Sequence, residues 1–150
     1  MKKILFVCHG NICRSTMAEY VMKFLVDKAG QTSNFYIDSA GTSREEIGNG
    51  VHYGTARKLH SVGIPVGNHK ARQITNDDFH EFDYIVGMDN ANMRNLHRIV
   101  PVGFEHKLFQ LLEFAGINKE IADPWYTGNF DATYNDVLLG CKSLLDKIIC

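Results

Sequence analysis

Cys8-His9-Gly10-Asn11-Ile12-Cys13-Arg14-Ser15 sets a thiol and a guanidinium with five residues between them, between a short apolar run and an amphipathic stretch. Those groups at that spacing suit a nucleophile at the base of an anion cradle. Ile4-Leu5-Phe6-Val7 reads as a buried parallel strand, and Met17, Val21, Phe24 and Leu25 recur at helical spacing, so the motif falls on a strand-to-helix turn. Such a turn aims several backbone N–H groups, and the positive end of a helix dipole, at one spot.

Each side chain in the turn has a chemical reason to be there. A thiol beside a helix N-terminus and an arginine is favoured as the reactive thiolate, which makes Cys8 the expected nucleophile. Arg14 has a planar fork that can bind two phosphoryl oxygens and follow them as the transferring group flattens. Gly10 and Asn11 are expected to take the left-handed backbone that turns the amides inward. The Ser15 hydroxyl can donate to the Cys8 sulfur. The plainer alternative, a buried structural cysteine near an unrelated arginine, does not account for the strand before the motif and the helix after it.

Further stretches join the turn in one pattern: Met17-Ala18-Glu19, Ser39-Ala40-Gly41-Thr42, His69-Lys70-Ala71-Arg72-Gln73, Phe82-Asp83-Tyr84-Ile85, Met88-Asp89 and Asp123-Pro124-Trp125-Tyr126. Over nearly its whole length the chain resembles the low-molecular-weight protein tyrosine phosphatases. The resemblance implies hydrolysis of phosphotyrosine and small aryl phosphates through a phosphocysteine intermediate, with no metal or organic cofactor. It also implies that His9, Gly10, Asn11, Ile12, Cys13 and Ser15 surround the phosphate, that Ser39 and His69 hold the loop in shape, and that Cys13 guards Cys8 against irreversible oxidation.

A phenoxide leaving group, with a phenol pKa of ~10, needs an acid at neutral pH. Asp123 is the candidate. Pro124 stiffens its backbone, and Trp125 and Tyr126 supply an apolar setting that flanks a flat ring. A turn-initiating Asp-Pro is the alternative for the dipeptide alone. Asp89 has two roles open to it, capping the next helix or serving near the acid loop. For His69 a hydrogen-bonded core histidine also stands. Seven histidines without H-x3-H or CxxC spacing give no metal signal.

Three positions depart from the family pattern. Thr16 replaces a frequent proline, and Thr16 with Glu19 reads as a capping box. Arg44-Glu45-Glu46-Ile47 lies where many relatives place a wall tryptophan; it reads as a solvated charge run, with Tyr53 as a possible substitute wall. His9 is open to two readings, touching substrate or standing exposed.

Three other functions share the scaffold. Thioredoxin-coupled arsenate reductases need two more cysteines around residues 80–90, where this chain has none. Protein-arginine phosphatases typically carry threonine at the position of Ile12 and lack a second aromatic after Asp-Pro, so Ile12 and Tyr126 favour a phenolic substrate. A phosphotyrosine-binding module would have lost Cys8, Arg14 or Asp123.

Behind these residues the elements alternate. The chain has 150 residues, 45% hydrophobic and 22% charged, with a net charge of −1, which fits one α/β domain and gives no polyanion-binding signal. Four parallel strands flanked by helices, in a Rossmann-like arrangement over residues 1–150, are expected. Phe35-Tyr36-Ile37 and Tyr84-Ile85-Val86 read as strands. Helices are expected around Ala56–Val62 ending at Gly63, around Asn92–His97, and from Tyr134 to Ile148; Phe104–Leu112 is ambiguous. Cysteines dispersed at 8, 13, 141 and 150 fit reduced thiols. No signal peptide or membrane-length run is read, so a cytoplasmic, monomeric or weakly associating protein is expected, with phosphotyrosyl proteins, inorganic phosphate and oxyanion inhibitors as partners and no nucleic acid.

Overall fold

The computed structural model describes residues 1–149. Strand β1 (Lys2–Cys8) is central, and Ile4, Leu5, Phe6 and Val7 have no exposed surface because both faces of the strand are covered. Burying each such side chain contributes about 1.5–3 kcal/mol, which is why this run tolerates no polar residue. The chain continues through α1 (Arg14–Lys28), β2 (Phe35–Gly41), α2 (Tyr53–Ser61), α3 (Asn76–Glu81), β3 (Tyr84–Gly87), α4 (Asn90–Ile99), β4 (Leu108–Gln110), α5 (Pro124–Thr127) and α6 (Phe130–Ile149). The strands form one parallel sheet in the order β2-β1-β3-β4.

Alternation along β1 divides the core. Ile4 and Phe6 join Met17, Val21, Val137 and Leu144 under α1 and α6. Leu5 and Val7 join Phe79 and Leu96 under α3 and α4. The connections from β1 run to one edge and those from β3 to the other, so a crevice opens beyond the carboxyl ends of these two neighbours. Cys8 ends β1 and Asp89 follows β3 at that crevice.

The expected architecture is the one observed, and several local details differ. The expected Thr16–Glu19 capping box does not form. Helix α1 begins at Arg14, two residues earlier, so Thr16 already lies in the first turn and its hydroxyl donates back to the Ile12 and Cys13 carbonyls at 2.9 and 3.0 Å. Glu19 is buried and accepts instead from Ser39 Oγ and Lys23 Nζ, both at 2.6 Å. The ambiguous Phe104–Leu112 stretch resolves into a 3-10 turn at Glu105–Lys107, the short strand β4 and a second 3-10 turn at Leu111–Ala115. Two short helices, α3 and α5, stand where no helix was expected. Both open on a capping aspartate or threonine: Thr75 with Asp78 for α3, and Asp123 followed by Pro124 for α5.

Candidate active site

The turn after β1 folds back on itself at Asn11, whose φ of +60° makes it the one non-glycine residue with positive φ among those described. Gly10 does not take that conformation, contrary to expectation. Its lack of a side chain serves close packing instead, since a Cβ there would lie 3.3 Å from the Glu46 methylene. All the hydrogen-bonding capacity of the Asn11 side-chain amide is used. Its Nδ2 donates to Ser15 Oγ (2.8 Å) and Ser39 Oγ (3.0 Å), and its Oδ1 accepts from His69 Nε2 (2.8 Å) and the Arg72 amide (3.1 Å). An amide so saturated pins the strained backbone of the loop, which otherwise costs of order 1–3 kcal/mol. The loop also leans on Gly41, where a Cβ would fall 2.8 Å from the His9 carbonyl.

With the turn set this way, the backbone N–H groups of His9 to Cys13 donate to no protein acceptor among the described residues. Beneath them sit Cys8 and Ser15, Sγ to Oγ 3.0 Å. Because Ser15 Oγ already accepts from Asn11, its own hydrogen is free to point at the sulfur. That is the contact expected to stabilise a thiolate.

Arg14, 3% exposed, lies at the back of the cradle. Its Nη1 donates to Asp89 Oδ2 (2.7 Å) and to the Ile121 carbonyl (3.0 Å), while Nη2 stands 3.5 Å from Asp123 Oδ2. Burial alone would loosen its proton; the negative charges of Cys8, Asp89 and Asp123 outweigh that and keep the guanidinium charged. Asp89 takes the capping role held open for it, since its other oxygen accepts from the Asn92 amide at 2.7 Å and caps α4. Asp123 likewise caps α5, accepting from the Trp125 amide at 3.0 Å, and its second oxygen faces Arg14.

The pocket is lined by Cys8 to Arg14, Asp123, Trp125 and Tyr126, as expected, and also by Glu45 and Glu46. The charge run is solvated, as read, and lines the pocket as well. Glu45 pairs with His9 Nε2 at 3.0 Å, which draws the segment against the loop, and both side chains stay more than half exposed. Tyr53 does not substitute as a wall; it is 70% exposed and stacks on His52. Of the four cysteines, Cys8, Cys13 and Cys141 are free and buried, and Cys150 lies outside the described residues.

Behind the loop is a polar network that the sequence did not give away. Ser39 Oγ donates to Glu19, accepts from Asn11 and lies 3.3 Å from His69 Nε2. Asp38 accepts from the Ser39 amide and from Arg72, and Arg72 also grips both oxygens of Asp78 at 2.9 and 3.0 Å. Glu19, Asp38 and His69 bring donor atoms within 4.8 Å of one another, near enough for a metal ion. Each of those atoms already has a protein partner, so the cluster reads as the frame of the loop. Ser39 and His69 were read from their motifs; Glu19 had the weaker signal of a carboxylate between Ala18 and Tyr20 on an otherwise apolar helix face.

Comparison with known proteins agrees with this geometry. The family model described as low molecular weight phosphotyrosine protein phosphatase matches residues 3–149. A low molecular weight protein-tyrosine-phosphatase of Staphylococcus epidermidis is 37% identical over 150 residues, covering 99% of this chain and 95% of that one. Among solved structures, YfkJ from Bacillus subtilis superposes with a TM-score of 0.93 at 38% identity, covering 99% and 95% of the two chains. A drosophila arginine phosphatase superposes with a TM-score of 0.91 at 33% identity, covering 100% and 99%. The chain belongs to the low molecular weight phosphotyrosine protein phosphatase family, and as such it is a phosphoric monoester hydrolase. No helix among the described residues is long and apolar enough to cross a membrane.

Proposed function

We propose that this chain, acting as a cytoplasmic monomer, hydrolyses phosphotyrosine in proteins and small aryl phosphates through a phosphocysteine on Cys8. The observation that carries the proposal is the stacking of Cys8, Ser15 and Arg14 beneath the free amides of His9 to Cys13, with Asp123 on the rim 3.5 Å from Arg14. The amides and the Arg14 fork bind three phosphoryl oxygens. Cys8 attacks phosphorus, the bond to the phenolic oxygen breaks, and Asp123 delivers its proton to that oxygen. Asp123 then takes a proton from the water that attacks phosphocysteine, releasing inorganic phosphate and the thiolate. Ile12, Trp125 and Tyr126 provide the apolar slot for the ring. Asp89 holds Arg14; Ser39 and His69 hold Asn11.

Cys8→Ser is expected to abolish turnover while retaining vanadate binding, and Arg14→Ala to damage both. Turnover by Cys8→Ser above about one per cent of the parent would overturn the covalent route. A second substrate class, phosphoarginine, is favoured by one observation: the acidic residues Glu45 and Glu46 line the same pocket as Trp125, and a guanidinium bound there would meet a carboxylate. Phosphate release from a phosphotyrosyl and a phosphoarginyl peptide of the same flanking sequence decides between the two.

A further inference from the structure

Trp125 needs a support of its own. It follows Pro124 in a helix of one turn and is 57% exposed, so little of the core holds it. Its aromatic neighbour is His52, whose ring meets the indole edge-on with centroids 5.5 Å apart. His52 itself is held from several directions. Its ring stacks on Tyr53 at 4.6 Å and on Phe130 at 5.6 Å, with interplanar angles of 26° and 17°. Its Nδ1 accepts from the Gly54 amide at 3.0 Å and so caps α2, which leaves the ring hydrogen on Nε2. Its own amide donates to the Ile12 carbonyl at 2.9 Å. Gly54 allows this close fit, since a Cβ there would fall 2.3 Å from the Phe130 ring.

One residue is thus joined by its main chain to Ile12 and by its ring to Trp125, both of which line the pocket. We propose that His52 is a positioning residue that fixes the width of the aryl slot by holding Trp125 at a set distance from Ile12. It touches none of the reacting atoms and acts through Trp125, so the proposal rests on Trp125 lining the aryl slot. An aromatic contact of this kind is worth a factor of about 2–10 in an equilibrium, and the effect falls on substrates with a ring and spares phosphate itself.

The experiment uses the full chain, in which Trp125 is the single tryptophan and reports on its own surroundings. His52→Asn retains an N-cap acceptor and removes the ring; His52→Phe retains the ring and removes the acceptor. Expected for His52→Asn are a red shift of tryptophan emission, easier quenching by acrylamide, and a KM for a phosphotyrosyl peptide raised about fivefold. Inhibition by inorganic phosphate should stay within about twofold of the parent, because the cradle is left intact. His52→Phe should restore emission and KM toward those of the parent. In a Trp125→Ala background, His52→Asn should no longer alter KM, the non-additivity expected of residues that act through one another. Unchanged emission and KM in His52→Asn, or an equal rise in KM in both backgrounds, would overturn the proposal. A shifted emission together with an unaltered KM in Trp125→Ala would uphold the support of Trp125 by His52 and overturn only the placing of Trp125 in the aryl slot.

Discussion

Asp89 binds Arg14 with one carboxylate oxygen and the Asn92 amide with the other, both at 2.7 Å, so a single side chain fixes the guanidinium proposed to bind the phosphoryl group and starts α4. Asp89→Asn keeps one acceptor oxygen, which can still cap α4, but removes the charge and turns an NH2 toward Arg14; Asp89→Ala removes both contacts. Loss of the cap costs about 0.5–2 kcal/mol, so Asp89→Ala should lower the denaturation midpoint more than Asp89→Asn. Both should weaken phosphate inhibition, because Arg14 is then free to leave its place. Equal stability of the two variants would show that the cap contributes nothing.

Asp123 is tested by leaving-group dependence. Asp123→Asn preserves the α5 cap but cannot donate a proton, so formation of phosphocysteine from phenyl phosphate should slow by roughly 10²–10⁴. An aryl phosphate whose phenol is a stable anion at assay pH should lose far less. Equal losses across leaving groups of widely different pKa would make Asp123 structural and turn attention to Asp89.

Cys13 shares the loop with Cys8, and we expect peroxide to convert the Cys8 thiol to a sulfenic acid. Cys13 then attacks that sulfur, expelling water and leaving a disulfide that added thiol reduces. Burial, followed by the charges of Cys8 and Asp123, pushes the Cys13 thiol up to about 12. Attack needs the thiolate, and burial still disfavours it after Cys8 has lost its charge on oxidation, so disulfide formation should accelerate as pH rises above neutrality. Cys141 is fully buried, which raises its thiol as well, and it should stay unreactive. Stopped-flow trapping of the sulfenic acid across pH gives the slope; recovery of Cys13→Ser equal to that of the parent would remove Cys13 from this role.

Asp78 governs acid stability of the frame behind the loop. Burial alone would raise its carboxyl, but the Arg72 hydrogen bonds and the Thr75 amide overcome this and hold it below its ordinary value. A depressed carboxyl contributes stability that is complete above the unfolded-chain value and is lost as pH falls through the folded one. Asp78→Asn should therefore cost about 1–3 kcal/mol at neutral pH, and the gap from the parent should close below about pH 4. A gap independent of pH, measured by denaturant titration, would mean that packing rather than charge is lost.

The central strand was legible because Ile4 to Val7 are covered on both faces, and the loop that carries the candidate nucleophile because residue type and spacing coincide within eight residues. The long amphipathic helix α6 was legible from its apolar period. Thr16 and Glu19 misled because a capping signature is local, while the true helix start is set two residues earlier by the turn that presents the loop amides. The same signature at Thr75 and Asp78 was genuine and went unread, since a helix of six residues has too few turns to show a period. Glu45 and Glu46 read as solvated charge, and nothing local reveals that they also line the pocket, Glu45 through its contact with His9. His52 carries no motif at all; its importance comes from Phe130 and Trp125, more than 70 positions away.

Cys8 and Asp123 come from opposite ends of the sequence, and α1, which follows the loop, packs against α6. Contacts of such long sequence separation form late in folding. During synthesis Cys8 leaves the ribosome before the carboxylate proposed to complete its chemistry, which emerges more than a hundred residues later. On the roles proposed for them, a nascent chain not yet extended to Asp123 carries the nucleophile without its acid.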